Sequence, residues 1–404
     1  MATTMRPVSA RPQRQQYDLA DISIVLLAGI ALAFVALFLC TMPLAGKMAG
    51  SRDFVAYYAT GRQLVQHADP YDADAIRRIE RASGLSVDGV LLMRNPPWAL
   101  PLAYPLGLFN VRVSAVLWTI VLLGCMLIPV YLVRRLHGSL PNQIHWLGLS
   151  FIPSLMCLTM GQTSLFALLG LTLFLRYHKT HPFCAGAALW LCSLKPHLLV
   201  PFAAVLMAWI VVTRSYRLLA GAAVALAASS LLTWAIDPSA FAHYTALMRS
   251  PKIVLEFVPC LSDAVRFAID KNAIWLQYLP AALCSVWAVI YFWRRRHRWD
   301  WLENGGLLVL VSLVSAPYSF VYDQSLAIPA ILDASYRTRH RKLLVVLVGL
   351  LLAVGAQATK AKVTSLWYLW TSPAWLIWYV VACAPVKSGL ENPQSAPLPA
   401  AVHN

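Results

Sequence analysis

Ser51-Arg52-Asp53-Phe54-Val55-Ala56-Tyr57-Tyr58, continuing through Gly61-Arg62 to Asp69-Pro70-Tyr71-Asp72, is the first polar stretch after a long apolar run. That run, roughly 22–43, reaches the length of about 20 apolar residues needed to cross a bilayer. The chain then stays largely polar until about residue 108 before turning apolar again. Asp53 therefore stands where the chain has just left the membrane. An acid held at that surface can take a proton from a substrate arriving from either phase.

Composition bounds the rest. The 404 residues are 59% hydrophobic and 12% charged, with a mean hydropathy of +0.62, whereas soluble domains carry about 25% charged residues. Repeated apolar runs between short basic loops predict an all-α polytopic membrane protein. Met1 to Asp18 is polar and basic, with no small-residue cleavage pattern after the first apolar run, so no signal peptide is expected. The net charge of +16 sits in short loops rather than on a basic stripe with interleaved aromatics, which argues against nucleic acid. Of the cysteines, Cys40, Cys125, Cys157, Cys184, Cys192, Cys284 and Cys383 fall in apolar runs and read as small apolar fillers; Cys260 reads as loop-borne.

Taking apolar runs as spans gives about twelve, with ranges near 22–43, 110–133, 145–160, 163–176, 182–194, 218–236, 305–316 and 366–384, a sixth returning at Arg214, an eighth ending at Arg294, a tenth returning at Tyr336 and an eleventh exiting near Thr359-Lys360. Lys and Arg exceed Asp and Glu by twelve on the inner segments and by four on the outer ones, which orients both termini to the cytoplasm. Residues 1–21 are a basic cytoplasmic segment, 22–386 a single transmembrane domain, and 387–404 a disordered cytoplasmic tail. Two large outer loops cover 44–108 and 237–275. In the first, Phe54, Val55, Tyr58, Leu64 and Val65 recur at helical spacing and predict an amphipathic helix on the interface. Asp72-Ala73-Asp74 predicts a second helix start, and Asn95-Pro96-Pro97-Trp98 must be extended or turning. The runs 145–160, 163–176 and 182–194 are short for a bilayer, so either a cavity floored by turns at Gly161, Lys195 and Pro317 receives their ends or the bilayer thins around them.

Several residues could carry chemistry. Asp53 is either a general base at the cavity mouth or a helix cap. Tyr57, one turn on, orients a substrate or anchors at the headgroups. Arg94 suits a phosphate or a headgroup anchor. Lys195, within an apolar stretch, neutralises a phosphate or snorkels to the interface; its neighbour His197 has a catalytic or a purely structural reading. Gly161-Gln162-Thr163-Ser164 offers neutral donors at a helix start. Tyr318, Tyr322, Asp323 and Gln324 bring phenols, an acid and an amide to the same side, and Asp323 binds sugar hydroxyls, acts with Asp53 or pairs with Lys195. No Walker loop, dinucleotide fingerprint, zinc motif or nucleophile elbow is present.

Together, Asp53-Phe54-x-x-Tyr57-Tyr58, Asp69-Pro70-Tyr71-Asp72, Pro96-Pro97 with Pro101 and Pro105, Gly161-Gln162-Thr163, Lys195-Pro196 and Pro317 through Asp323 resemble glycosyltransferase family 87. The resemblance covers about 50–335. It implies a large C-type glycosyltransferase (GT-C) fold and a transferase that moves a sugar, often mannose, from a polyprenyl-phosphate donor to a lipid or glycan acceptor. The site would face away from the cytoplasm of a bacterial inner membrane. Asp53 matches the family's catalytic aspartate of the first outer loop. Donor phosphate would fall to Lys195, Arg94 and His197, and sugar or acceptor to Tyr57, Gln162, Tyr318, Tyr322, Asp323 and Gln324. No metal or other cofactor is expected. Some members carry histidines where this chain has Tyr322-Asp323, a departure that bears on sugar and acceptor preference. Readings from other classes are a lipid or glycolipid transporter or flippase, and a non-catalytic scaffold.

Overall fold

The computed structural model describes residues 53–84, 89–139, 142–250, 256–338 and 340–384. The expected first span, the segment 1–21, Cys40 and the tail 387–404 lie outside them. Among the described residues the regular structure is entirely helical, and a helix satisfies its own backbone where no water is at hand. The chain opens with α1 (Phe54–Val65) and α2 (Ala73–Ala82). After a proline-rich connection come α3 (Val111–Leu136), α4 (Ile152–Met160), α5 (Ser164–Tyr177), α6 (Pro182–Ala188), α7 (Val200–Thr213) and α8 (Tyr216–Ile236). The second polar loop carries α9 (Ala240–Met248) and α10 (Leu261–Ile269). Then follow α11 (Trp275–Arg295), α12 (Trp301–Ser315), α13 (Ile328–Arg337), α14 (Arg341–Ala358) and α15 (Thr371–Ala382).

Among the described residues, five stretches are long and apolar enough to cross a membrane: α3, Pro196–Thr213, α8, Trp275–Arg298 and α14. The stretches His145–Met160, Ser164–Tyr177, Pro182–Leu194 and Trp301–Ser315 are apolar but shorter. Burial separates the two groups. The apolar window of α8 is only 11% buried, which leaves it to lipid. The shorter α5 buries Leu165, Leu168, Leu171 and Phe174 completely. Phe174 meets the Trp301 ring edge-on at 5.2 Å, and Trp301 is itself buried. Protein covers most of α5 and α12, two helices too short to span alone.

The first polar loop departs from expectation. Instead of lying on the interface, α1 is buried on almost every face, Thr60 and Gln63 included. The cause is a close backbone approach. A Cβ on Gly61 would stand 2.2 Å from the Ala103 carbonyl oxygen, and one on Gly107 2.1 Å from that of Gly61. The polar side chains that suggested a wet face find protein partners: Arg62 donates to the Gly107 carbonyl at 3.0 Å and Thr60 to that of Pro70 at 3.5 Å. It is α2 that is amphipathic, burying Ala75, Ile76 and Glu80 and exposing the rest more fully. Its start is as expected: Asp72 Oδ1 accepts the amides of Asp74 and Ala75 at 2.9 and 3.2 Å. Glu80 is fully buried, and its two oxygens accept the Leu91 amide at 3.1 and 3.2 Å.

Cys260 is loop-borne but buried, at the start of α10. Cys184 and Cys383 are exposed rather than packed as fillers, because their helix faces have no protein over them.

Candidate functional site

The site is assembled where three turns meet α1. The first turn ends α4 at Gly161, in the left-handed region with φ +78 and ψ 27. Glycine is required there twice over, since a Cβ would also lie 2.6 Å from that of Phe54. Trp118 of α3 fixes the turn by donating Nε1 to the Gly161 carbonyl at 2.7 Å. The next residue, Gln162, comes directly beneath the start of α1.

Gln162 Nε2 donates to Asp53 Oδ2 at 2.7 Å. Its Oε1 accepts from the Tyr57 hydroxyl and from Lys195 Nζ, both at 3.1 Å. Two donors converging on one amide atom settle which end is the oxygen, so the NH₂ is the end that faces Asp53. Lys195 also donates to Asp323 Oδ1 at 2.7 Å and lies 5.1 Å from the centroid of the Tyr322 ring. Asp323 is fully buried; Ser164 donates to the same oxygen, and the Phe320 amide donates to the other at 2.8 Å. Of the three roles open to Asp323, the geometry is that of the ion pair. Its charge balances Lys195, and among the described residues Asp53 is left as a carboxylate with one neutral donor and no cation paired to it.

Asn95 ties the turns together, donating its amide hydrogens to Thr163 Oγ1 at 3.1 Å and the Leu194 carbonyl at 2.9 Å. Trp98 adds a bond from Nε1 to the Ser193 carbonyl at 3.1 Å. Pro96 is extended and Pro97 begins a single 3₁₀ turn, as proline geometry demands. Arg94, just before this staple, pairs with Glu256 at 2.5 Å and lies beside the Tyr318 hydroxyl. His197 meets Tyr318 edge-on at 5.4 Å; its Nε2 is buried with no hydrogen-bond partner among the described residues. Gln324 is the candidate that faces elsewhere. Its Nε2 donates to Thr371 at 2.7 Å and its Oε1 accepts from Trp375 at 2.8 Å, so both ends of the amide are used against α15.

Burial pushes the Asp53 carboxyl above the usual carboxylate range, Asp323 adds to the push, and Gln162 and Lys195 oppose it. Burial likewise raises the Tyr57 phenol, so it stays protonated and donates. A base with a raised affinity for protons, anchored on one oxygen, is suited to accept a proton from a hydroxyl. Among the described residues no group of three or more His, Cys, Asp or Glu is placed to hold a metal ion.

Residues 94–317 match the sequence model of glycosyltransferase family 87. The chain belongs to glycosyltransferase family 87. It is therefore a membrane glycosyltransferase by family. No curated protein and no solved structure matches it. The matched stretch contains Arg94, Gln162, Lys195 and His197; Asp53, Tyr57, Tyr318, Tyr322, Asp323 and Gln324 flank it. The hydrogen-bond chain from Asp53 to Asp323 thus joins both flanks to the family's own stretch.

Sequence reasoning missed three participants. Trp118 carries no signal, being one aromatic in a long apolar helix. Asn95 stood inside a quoted motif without a role. Glu256 is one of several acids in the second polar loop.

Proposed function

We propose that this glycosyltransferase moves a hexose, mannose being the first choice, from a polyprenyl-phosphate donor to a lipid or glycan acceptor, with inversion and with Asp53 as general base. The observation that carries this reading is the Asp53 carboxylate anchored by Gln162, which Tyr57 and Lys195 hold in turn. The donor's prenyl tail stays in lipid while its phosphate meets Arg94, with His197 nearby. The acceptor oxygen attacks the anomeric carbon as Asp53 takes its proton. The bond from that carbon to the phosphate oxygen breaks, and polyprenyl phosphate leaves.

General-base assistance of this kind contributes about 10²–10⁴-fold. Charge growing on the departing phosphate is met by Arg94 and, at longer range, by Lys195. Because Lys195 is balanced by Asp323, its first task is to hold Gln162, and hence the base, in place. Tyr318 and Tyr322 line the same region and would meet sugar or acceptor. The site faces the non-cytoplasmic side of a bacterial inner membrane, with both termini cytoplasmic.

The test is incubation of the purified protein in lipid with radiolabelled polyprenyl-phosphate mannose, or its glucose counterpart, and a membrane lipid extract. The reading expects label in a new glycolipid or glycan. Movement of intact donor across vesicles with no chemical change would instead identify a transporter.

A further inference from the structure

We propose that Glu256 holds, on Arg94, the place of the donor's phosphate, and that donor binding is an exchange of one anion for the other. The inference rests on the donor reading above and adds how that subsite is regulated. Arg94 Nη2 and Glu256 Oε2 lie 2.5 Å apart with side chains 30% and 37% exposed. The other ion pair of the site, Lys195–Asp323, is 10% and 0% exposed. The two pairs are built for different ends. A buried pair is costly to open, because either charge would be left without solvent or partner. A half-exposed pair can part and let water take each charge at little cost.

The Arg94 end is fixed, since the next residue, Asn95, is stapled to Thr163 and Leu194. Glu256 belongs to the second polar loop and precedes α10, so it approaches from a different part of the chain. A guanidinium binds carboxylate and phosphate in the same forked geometry. One guanidinium cannot favour both at once, because the two anions would repel across a few ångströms of partly dehydrated space. Neutral groups complete the subsite: the Tyr318 hydroxyl beside Arg94 and His197, whose buried Nε2 lacks a partner among the described residues. On donor entry Glu256 turns to water. When the polyprenyl phosphate product departs, the carboxylate returns, so the guanidinium is never left without an anion and product release is helped.

The experiment measures the donor KM, and the inhibition constant of polyprenyl phosphate as product, for Arg94→Ala, Glu256→Gln and the double variant in lipid. Exchange predicts that Glu256→Gln lowers both constants about two- to fivefold, the range of a half-exposed ion pair, and raises kcat/KM accordingly. Arg94→Ala raises both about tenfold, and adding Glu256→Gln to it gives no further gain. Glu256→Asp, with its shorter reach, shifts both constants in the same direction as Glu256→Gln and guards against a folding defect in either. If Arg94→Ala raises the constants while neither Glu256 variant lowers them, the exchange is wrong and the donor subsite stands. If Arg94→Ala leaves both unchanged, the phosphate does not sit on Arg94, and the exchange falls with it.

Discussion

A carboxyl shielded from water that meets one neutral amide keeps its proton to higher pH than a free aspartate does. Asp53 is such a group, and a base must be deprotonated to act, so activity should rise with pH through a midpoint above the ordinary value of about 4. Gln162 opposes the rise by hydrogen bonding to the charged form. Replacing it with Leu should therefore move the acid limb of the pH–rate profile further up and lower kcat, because Tyr57 and Lys195 lose their shared acceptor too. A limb that stays in place would show that Gln162 does not act through Asp53.

Glu80 makes a separate prediction. It is fully buried and pushed up to about 7, chiefly by burial. Its folded form binds the proton more tightly than its unfolded form, so it subtracts stability as pH rises from about 4.5 to about 7, and the loss levels off above that. Glu80→Gln should flatten that fall, raising the melting temperature at pH 8 relative to pH 5 in detergent. Of the site residues, Lys195 could be picked out in the sequence because it interrupts an apolar stretch, and Asp53 and Gln162 because each lies in a short polar break between apolar runs. Their connections could not, because Gln162 and Asp53 are 109 positions apart and no local pattern records a bond of that reach.

Among helices, α1 shows where pattern reading stops. Apolar residues at helical spacing with Arg62 and Gln63 between them describe a surface helix equally well as one buried among polar partners. What decides is the contact of Gly61 with the 103–107 backbone, which periodicity does not register. Gly61→Ala should cost about 1–3 kcal/mol by overpacking, seen as a lower melting temperature with transfer activity falling in parallel, since α1 carries Tyr57 and begins at Asp53. A variant as stable as the parent would mean that α1 sits less tightly than described. By contrast, the capped start of α2 and the turn at Asn95-Pro96-Pro97-Trp98 were legible. Side-chain capping and proline sterics act within a few residues. The short helices α4, α5 and α6 were also legible as too short, and for α5 the structure supplies the reason it persists: protein covers it.

For the whole molecule, the unequal distribution of Lys and Arg predicts which side each loop faces. In a cysteine-free background, Asn272→Cys in the second polar loop should react with a membrane-impermeant maleimide on intact cells. His297→Cys in the basic cluster after α11 should react only once the cells are opened. The opposite pattern would turn the site towards the cytoplasm. Composition and charge revealed a helical membrane protein, and the spaced motifs revealed its family. The number of full-length spans was less legible, because a run of apolar residues looks alike whether lipid or protein covers it.

All of this converges on Asp53, and its replacement by Asn keeps the shape of the side chain while removing the base. The decisive measurement is the rate of glycosyl transfer from a polyprenyl-phosphate sugar by purified Asp53→Asn protein, set against the parent at equal folded concentration. The account predicts a fall of about 10²–10⁴-fold with an unchanged melting temperature. Transfer at the parental rate by a folded Asp53→Asn protein would contradict it.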